Sequence, residues 1–182
     1  MKKAIWIISI SIMILALFRG IFYRLIVNYN DIGYRTTIAI TNQELIDNIK
    51  QLSANSAPDI YEIAEISDII TRETLSFHFG NSSNDPNALI DTKQANCVGY
   101  SALFNSVANY LIAEHDLQDE IKAVHKIGQL DFLGIDIHQF SDNPFYKDHD
   151  YNEIINIKTD EIIAIDPTVS DYLRIKTIST NH

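Results

Sequence analysis

Along this 182-residue chain the apolar positions run in three regimes: continuous, then helical, then alternating. The continuous regime comes first. Lys2 and Lys3 precede residues 4–18, fifteen positions without a charge and broken only by Ser9 and Ser11. A helix buried in a soluble core keeps a polar face, and this stretch has almost none. Arg19 and Gly20 follow, then a second apolar run at residues 21–27. Fifteen residues are too few for an upright membrane span, which takes about 20. Counting to Val27 reaches that length if Arg19 and Arg24 snorkel toward an interface. Residues 1–27 therefore read as a membrane anchor or signal segment, with residues 4–27 forming one hydrophobic helix clear of the rest. No small-x-small site follows Phe18, which favours an uncleaved signal anchor over a removed leader. Lys2, Lys3 and the amino terminus favour a cytoplasmic start and hence an extracytoplasmic domain, while Arg19 and Arg24 pull the other way.

Residues 28–41 have mixed character and read as a connection. The helical regime follows. Leu45, Ile49 and Leu52 fall at i, i+4 and i+7 and predict a helix over 42–52, capped by Thr41 or Asn42 with Glu44 in its first turn. Pro58 permits a new start, and Ile60, Ile63, Ile66 and Ile70 extend helical spacing to about Thr74. Residues 78–87 hold Gly80, Pro86 and several Asn and Ser, the composition of a loop. From Asn96 to Glu114 apolar residues cover most of a helix circumference, which predicts a central helix packed on several sides. Beyond His115 the period becomes two. Ile121, Ala123, His125 and Ile127 alternate with Lys122, Val124 and Lys126, as in a half-exposed strand. Leu130, Phe132, Ile135 and Ile137 predict another strand broken at Gly134. Residues 149–157 and 161–166 predict a hairpin around Lys158-Thr159-Asp160. Helices first and antiparallel strands later is the order of an α+β domain.

Composition narrows the field. A hydrophobic fraction of 46% supports a packed core. A formal net charge of -10 without a basic stripe argues against nucleic acid as a partner. The single cysteine, Cys97, excludes an intrachain disulfide.

That cysteine is also candidate chemistry. With Asn96 as N-cap, Cys97 is the first residue of the central helix, where amide N–H groups carry partial positive charge. Such a site favours thiolate, the nucleophilic form, and can donate to an oxyanion. The plain alternative is a buried structural thiol. Gly99 speaks against it, because a glycine in a first helical turn costs about 1 kcal/mol against alanine and implies a close neighbour. His149 lies between Asp148 and Asp150 at a strand start. If Ile157 faces Ile162, then Asp166 faces Glu153, and His149 and Asp166 share a sheet face four residues apart. That offset is about 13 Å along a straight strand, so a bulge or bend must close it. Asp148 and Asp150 are nearer in sequence, but alternation turns Asp150 to the other face. A metal site from His138, Asp148, His149 and Asp150 lacks the short fixed spacing that zinc uses. His78, His115 and His125 stand alone and read as surface or core-satisfied residues.

Ala95-Asn96-Cys97-Val98-Gly99-Tyr100-Ser101-Ala102-Leu103-Phe104 resembles the nucleophile helix of the transglutaminase-like superfamily, whose members share a papain-like cysteine-proteinase fold. His149-Asp150-Tyr151-Asn152-Glu153-Ile154 is similar to the family's histidine strand, and Ile165-Asp166-Pro167-Thr168 to its aspartate strand. The resemblance runs from about Leu89 to Leu173. It implies a transglutaminase-like domain over residues 28–182, with the nucleophile helix packed on an antiparallel sheet. It implies Cys97 as nucleophile, His149 as general base and acid, and Asp166 as orienter of the imidazole. The expected reaction is acyl transfer or hydrolysis of an amide in a protein, peptide or peptidoglycan-like substrate, with no cofactor or metal. The superfamily also contains inactive members, so a membrane-tethered interaction or scaffold domain is the second expectation. The only tryptophan, Trp6, lies in the anchor, so no indole serves the site. Gln94, close to Cys97 in sequence, is the candidate side-chain donor to an oxyanion.

Overall fold

The computed structural model describes residues 2–54 and 58–181. It opens with two helices, α1 (Lys2–Leu17) and α2 (Arg19–Ile26), followed by strand β1 (Val27–Arg35). Helices α3 (Gln43–Ser53) and α4 (Ile60–Thr74) come next, then β2 (Ser76–Phe77), α5 (Pro86–Thr92), β3 (Gln94–Ala95) and the long α6 (Cys97–Glu114). Strands β4 (Ile121–Phe132), β5 (Ile135–Asp136), β6 (His149–Asn156) and β7 (Glu161–Ile165) lead to α7 (Pro167–Leu173) and a terminal strand β8 (Ser179–Asn181). The class is α+β. The main sheet runs β7-β6-β4-β1-β8, with β5 also paired to β4. Its pairings are antiparallel except β1 with β8.

Helix α6 is buried around its whole circumference, from Cys97 and Tyr100 to Leu111 and Ile112. It shares one core with α3 and α4, through Ile49, Ile63 and Ile70, and with the sheet, through Ala123, Ile154 and Ile165. The opposite sheet face carries a smaller cluster of Tyr29, Tyr151, Ala164 and Ile178. The expected caps form: the Asn42 side chain accepts from Leu45 N–H at 3.1 Å, and Asn96 accepts from Val98 and Gly99 N–H at 3.1 and 3.3 Å.

Four expectations are corrected. Residues 4–27 are not one free helix: the axis bends by 75° between α1 and α2, and Val27 already belongs to β1. Among the described residues no single helix is long and apolar enough to cross a membrane; only the bent pair reaches that length. Helix α2 is stitched to the domain, its Ile26 carbonyl accepting from Leu133 N–H at 2.7 Å and its Arg24 carbonyl from the Ser179 hydroxyl at 3.0 Å. Residues 28–41 are not a mere connection, since β1 lies between β4 and β8. Its Asn, Asp and Gly residues mask the alternation, and a bulge between Asp31 and Gly33 breaks its period. The loop expected at 78–87 stops at Asp85, whose side chain caps α5 with Pro86 in its first turn. Finally, β4 is one strand where two were expected. Leu133 and Gly134, both at positive φ, turn the chain into the short β5, and Ile137 starts a 3₁₀ turn.

Candidate active site

His149 is the first residue of β6 and Asp166 is the N-cap of α7. The hairpin between them is set two residues from the expected register: Ile155 opposes Ile162 and Glu153 opposes Ala164. A shift of two preserves the shared face and brings Asp166 two residues nearer His149. The β6–β7 ladder accordingly needs no bulge and has none. The turn instead takes in residues 157–160, with Asp160 in the left-handed region. His149 Nε2 meets Asp166 Oδ2 at 2.7 Å.

The carboxylate of Asp166 is fully buried and fixed from every side. Oδ1 accepts from Thr168 and Val169 N–H at 2.9 and 3.1 Å, as a helix cap does. Oδ2 accepts from the Tyr29 hydroxyl at 2.7 Å as well as from His149. Tyr29 in turn meets the hydroxyl of Tyr23 at 2.7 Å. Since Tyr29 donates its proton to Asp166, Tyr23 is the donor to Tyr29. A chain of hydrogen bonds therefore runs from α2 through β1 to the imidazole. Tyr29 also stands edge-on to the His149 ring at 6.0 Å and to Tyr151 at 5.3 Å.

Burial opposes charge on both partners, and their pairing outweighs it. Burial would lower the pKa of His149, yet the Asp166 charge and hydrogen bond, with smaller contributions from Cys97, hold it well above the usual imidazole value. Burial would raise Asp166, yet His149, Tyr29 and the Val169 N–H hold it below the usual carboxylate value. With Nε2 committed to Asp166, Nδ1 is the ring nitrogen left for the cysteine.

Cys97 sits at the first position of α6 and is 7% exposed. The Asn96 backbone N–H donates to Ser82 Oγ at 3.0 Å and its side-chain amide to the Gly80 carbonyl at 3.0 Å, so the 78–85 loop clasps the helix start. Gly99 makes that fit possible. A Cβ there would lie 2.7 Å from Ala95 Cβ and 2.9 Å from the Ser83 carbonyl oxygen. Cys97 and His149 open into one cleft of about 350 Å³, walled by Phe77, Phe79, Phe145 and Tyr146. A larger hollow of about 520 Å³ lies elsewhere, against Pro58, Tyr61, Leu117 and Glu161, and its lining has no Cys, Ser or Thr.

Of the two rivals for the imidazole, Asp148 lines the same cleft as His149, and Asp150 lies outside it. Asp150 takes the other face, where it binds His125 Nε2 at 2.6 Å and the Arg35 guanidinium at 2.5 and 3.0 Å. Burial would raise Asp150, and His125 and Arg35 reverse that. His125 is thus core-satisfied. His138 Nδ1 meets the Tyr146 carbonyl oxygen at 2.7 Å. Of the four residues weighed for a metal, His138, His149 and Asp150 each bind a different partner, and no group of three His, Cys, Asp or Glu side chains that could hold a metal ion occurs among the described residues. Gln94 is exposed on β3 and lies outside the cleft lining. Sequence reasoning missed Tyr23, Tyr29 and Arg35. Tyrosines next to an apolar segment look like interface anchors, and nothing in their spacing points to Asp166.

No protein-family model, no curated protein and no solved structure matches this chain.

Proposed function

We propose that the protein is a cysteine-dependent acyl-transfer or amide-hydrolysing enzyme, built on a transglutaminase-like domain with a papain-like core and tethered to a membrane by its first helix. The observation that carries this reading is the 2.7 Å bond from His149 to a buried Asp166, made at a cleft that also holds the thiol of Cys97. The sequence motifs that resemble the transglutaminase-like superfamily supply the same three residues in the same roles. Tethering is supported by α1, whose Trp6, Ile7 and Leu17 are all more than half exposed. The charge pattern favours an extracytoplasmic domain.

In this mechanism His149 takes the Cys97 proton and the thiolate attacks the substrate carbonyl, forming a C–S bond. Val98 and Gly99 N–H groups already serve Asn96, so the Cys97 backbone N–H is the helix-start donor left to face the oxyanion. The tetrahedral adduct collapses, the C–N bond breaks, and the His149 imidazolium gives its proton to the departing amine. Water, or a second amine, attacks the thioester with His149 again accepting a proton, and the Cys97 thiolate leaves. Asp166 stays ionised throughout and holds the ring with Nδ1 toward the sulfur.

An acyl-enzyme experiment tests this. On mixing with p-nitrophenyl acetate the protein should release a burst of p-nitrophenol and carry an acetyl thioester on Cys97 by peptide mass spectrometry. Cys97→Ala should abolish the adduct, and His149→Ala should slow its formation by about 100-fold or more. A folded wild type that forms no adduct would instead fit the scaffold alternative.

A further inference from the structure

Resting on that catalytic reading, the geometry points to a substrate class: we propose that the Cys97 thiolate attacks the carbonyl of a long-chain acyl ester or amide delivered from a lipid bilayer. The C–S bond forms, the C–O or C–N bond breaks, and the alcohol or amine leaves with the proton from His149. The cleft above Cys97 is walled by neighbouring aromatic rings. Phe77 and Phe79 lie 4.9 Å apart between centroids, Phe79 and Phe145 6.3 Å, and Phe145 and Tyr146 5.1 Å. Its ionisable side chains are Cys97, His138, Tyr146, Asp148 and His149, with no Lys or Arg to receive a carboxylate or phosphate. An acidic peptide or peptidoglycan-like substrate finds no Lys or Arg in that lining, and the His149 imidazole is already paired with Asp166, whereas a hydrocarbon chain finds edge-on and tilted aromatic walls.

The cleft also continues. Phe77, Phe79 and Thr168 are shared with a second hollow of about 350 Å³, which is lined otherwise by Val169, Tyr172 and Leu173. Its outer end meets the N-terminal segment. Arg19 donates to the Leu173 carbonyl oxygen at 2.6 Å and to that of Arg174 at 3.1 Å. Arg19 opens α2, immediately beyond the point where the apolar α1 leaves the domain. The groove thus runs from the nucleophile to the foot of the helix that would lie in the bilayer. A chain sliding out of lipid would enter at Tyr172 and Leu173, which are 58% and 48% exposed, and end with its carbonyl carbon at Cys97.

The test uses the full chain in phosphatidylcholine vesicles and measures acylation of Cys97 by p-nitrophenyl acetate, butyrate, octanoate and dodecanoate. Each buried methylene is worth about fourfold, so octanoate should outpace acetate by at least about tenfold. Phe79→Ser alters a side chain that is 71% exposed, and so threatens the fold little. It should cut the octanoate-to-acetate ratio about fivefold. Iodoacetamide alkylation of Cys97, slowed by His149→Ala, reports activation independently of chain length. Equal ester rates at an activated Cys97 would overturn the chain assignment and leave acyl transfer standing. Faster acylation by a Phe- or Leu-terminated peptide ester than by octanoate would overturn it in favour of a peptide. An unactivated Cys97 that no ester acylates would overturn both proposals.

Discussion

Asp166 accepts two backbone N–H groups, one phenol and one imidazole, and of these Tyr29 is the partner that can be removed without disturbing the backbone or the site's charge. Tyr29→Phe keeps the ring packed on Tyr151 and deletes the hydroxyl, which is the donor to Asp166 and the acceptor from Tyr23. A hydrogen bond to a charged group is worth about 2 kcal/mol, so the variant should lose about that much stability in urea unfolding. The acylation rate of Cys97 should fall about tenfold as the carboxylate gains freedom. Tyr23→Phe should show a weaker form of the same effect, because it acts through Tyr29. A Tyr29→Phe protein with an unaltered acylation rate would make the tyrosine pair purely structural. Gly99 offers a second test at this scale. Alanine there gains about 1 kcal/mol of helix propensity but drives Cβ into Ala95 and the Ser83 carbonyl oxygen. Overpacking of about 1–3 kcal/mol should win, giving a net loss and freeing the 78–85 loop. Unfolding of Gly99→Ala at the wild-type midpoint would show that the loop yields without strain.

The elements that could be read from sequence are those whose side chains alone decide them. Helices α3, α4 and α6 have long apolar periods and side-chain caps, and they lie within a residue or two of expectation. What was hidden depends on partners distant in sequence. Strand β1 is polar enough to pass for a linker, and only β4 and β8 make it a strand. The β6–β7 register could be read to the correct face but not to the correct residue, because parity follows the side chains and the offset follows the turn. Cys97, His149 and Asp166 could be picked out because their motifs carry them. Tyr23 and Tyr29 could not, because their role exists only once α2 and β1 are folded. Truncation tests the resulting boundary. Removal of residues 1–18 should leave a folded domain that no longer sediments with phosphatidylcholine vesicles. Removal through Val27 deletes α2 and the first residue of β1, and with them Tyr23, and should lower the unfolding midpoint and slow acylation of Cys97. Equal stability of the two truncations would return α2 to the anchor.

For the molecule as a whole, the His149–Asp166 pair ties folding to pH. The folded pKa of His149 lies above the unfolded value of about 6.5, so its contribution is fully present below that pH and fades as pH rises through the folded pKa. The folded pKa of Asp166 lies below its unfolded value of about 3.9, so its contribution is present above that pH and fades as pH falls through the folded pKa. The stability gap between wild type and His149→Ala should therefore be widest between about pH 4 and 6.5 and should narrow in alkali, as measured by urea unfolding across pH. A gap that widened in alkali would reverse the assigned shift. The proposed catalysis makes a stricter demand, that three residues from three elements act as one unit. The most direct test is the second-order rate of Cys97 alkylation by iodoacetamide near neutral pH in wild type, His149→Ala, Asp166→Asn and the double variant. Wild type should react faster than a free cysteine peptide, each single variant should be slower by about tenfold or more, and the double variant should be no slower than His149→Ala alone. A wild-type thiol no faster than the free peptide, or single losses that simply multiply in the double variant, would contradict the account.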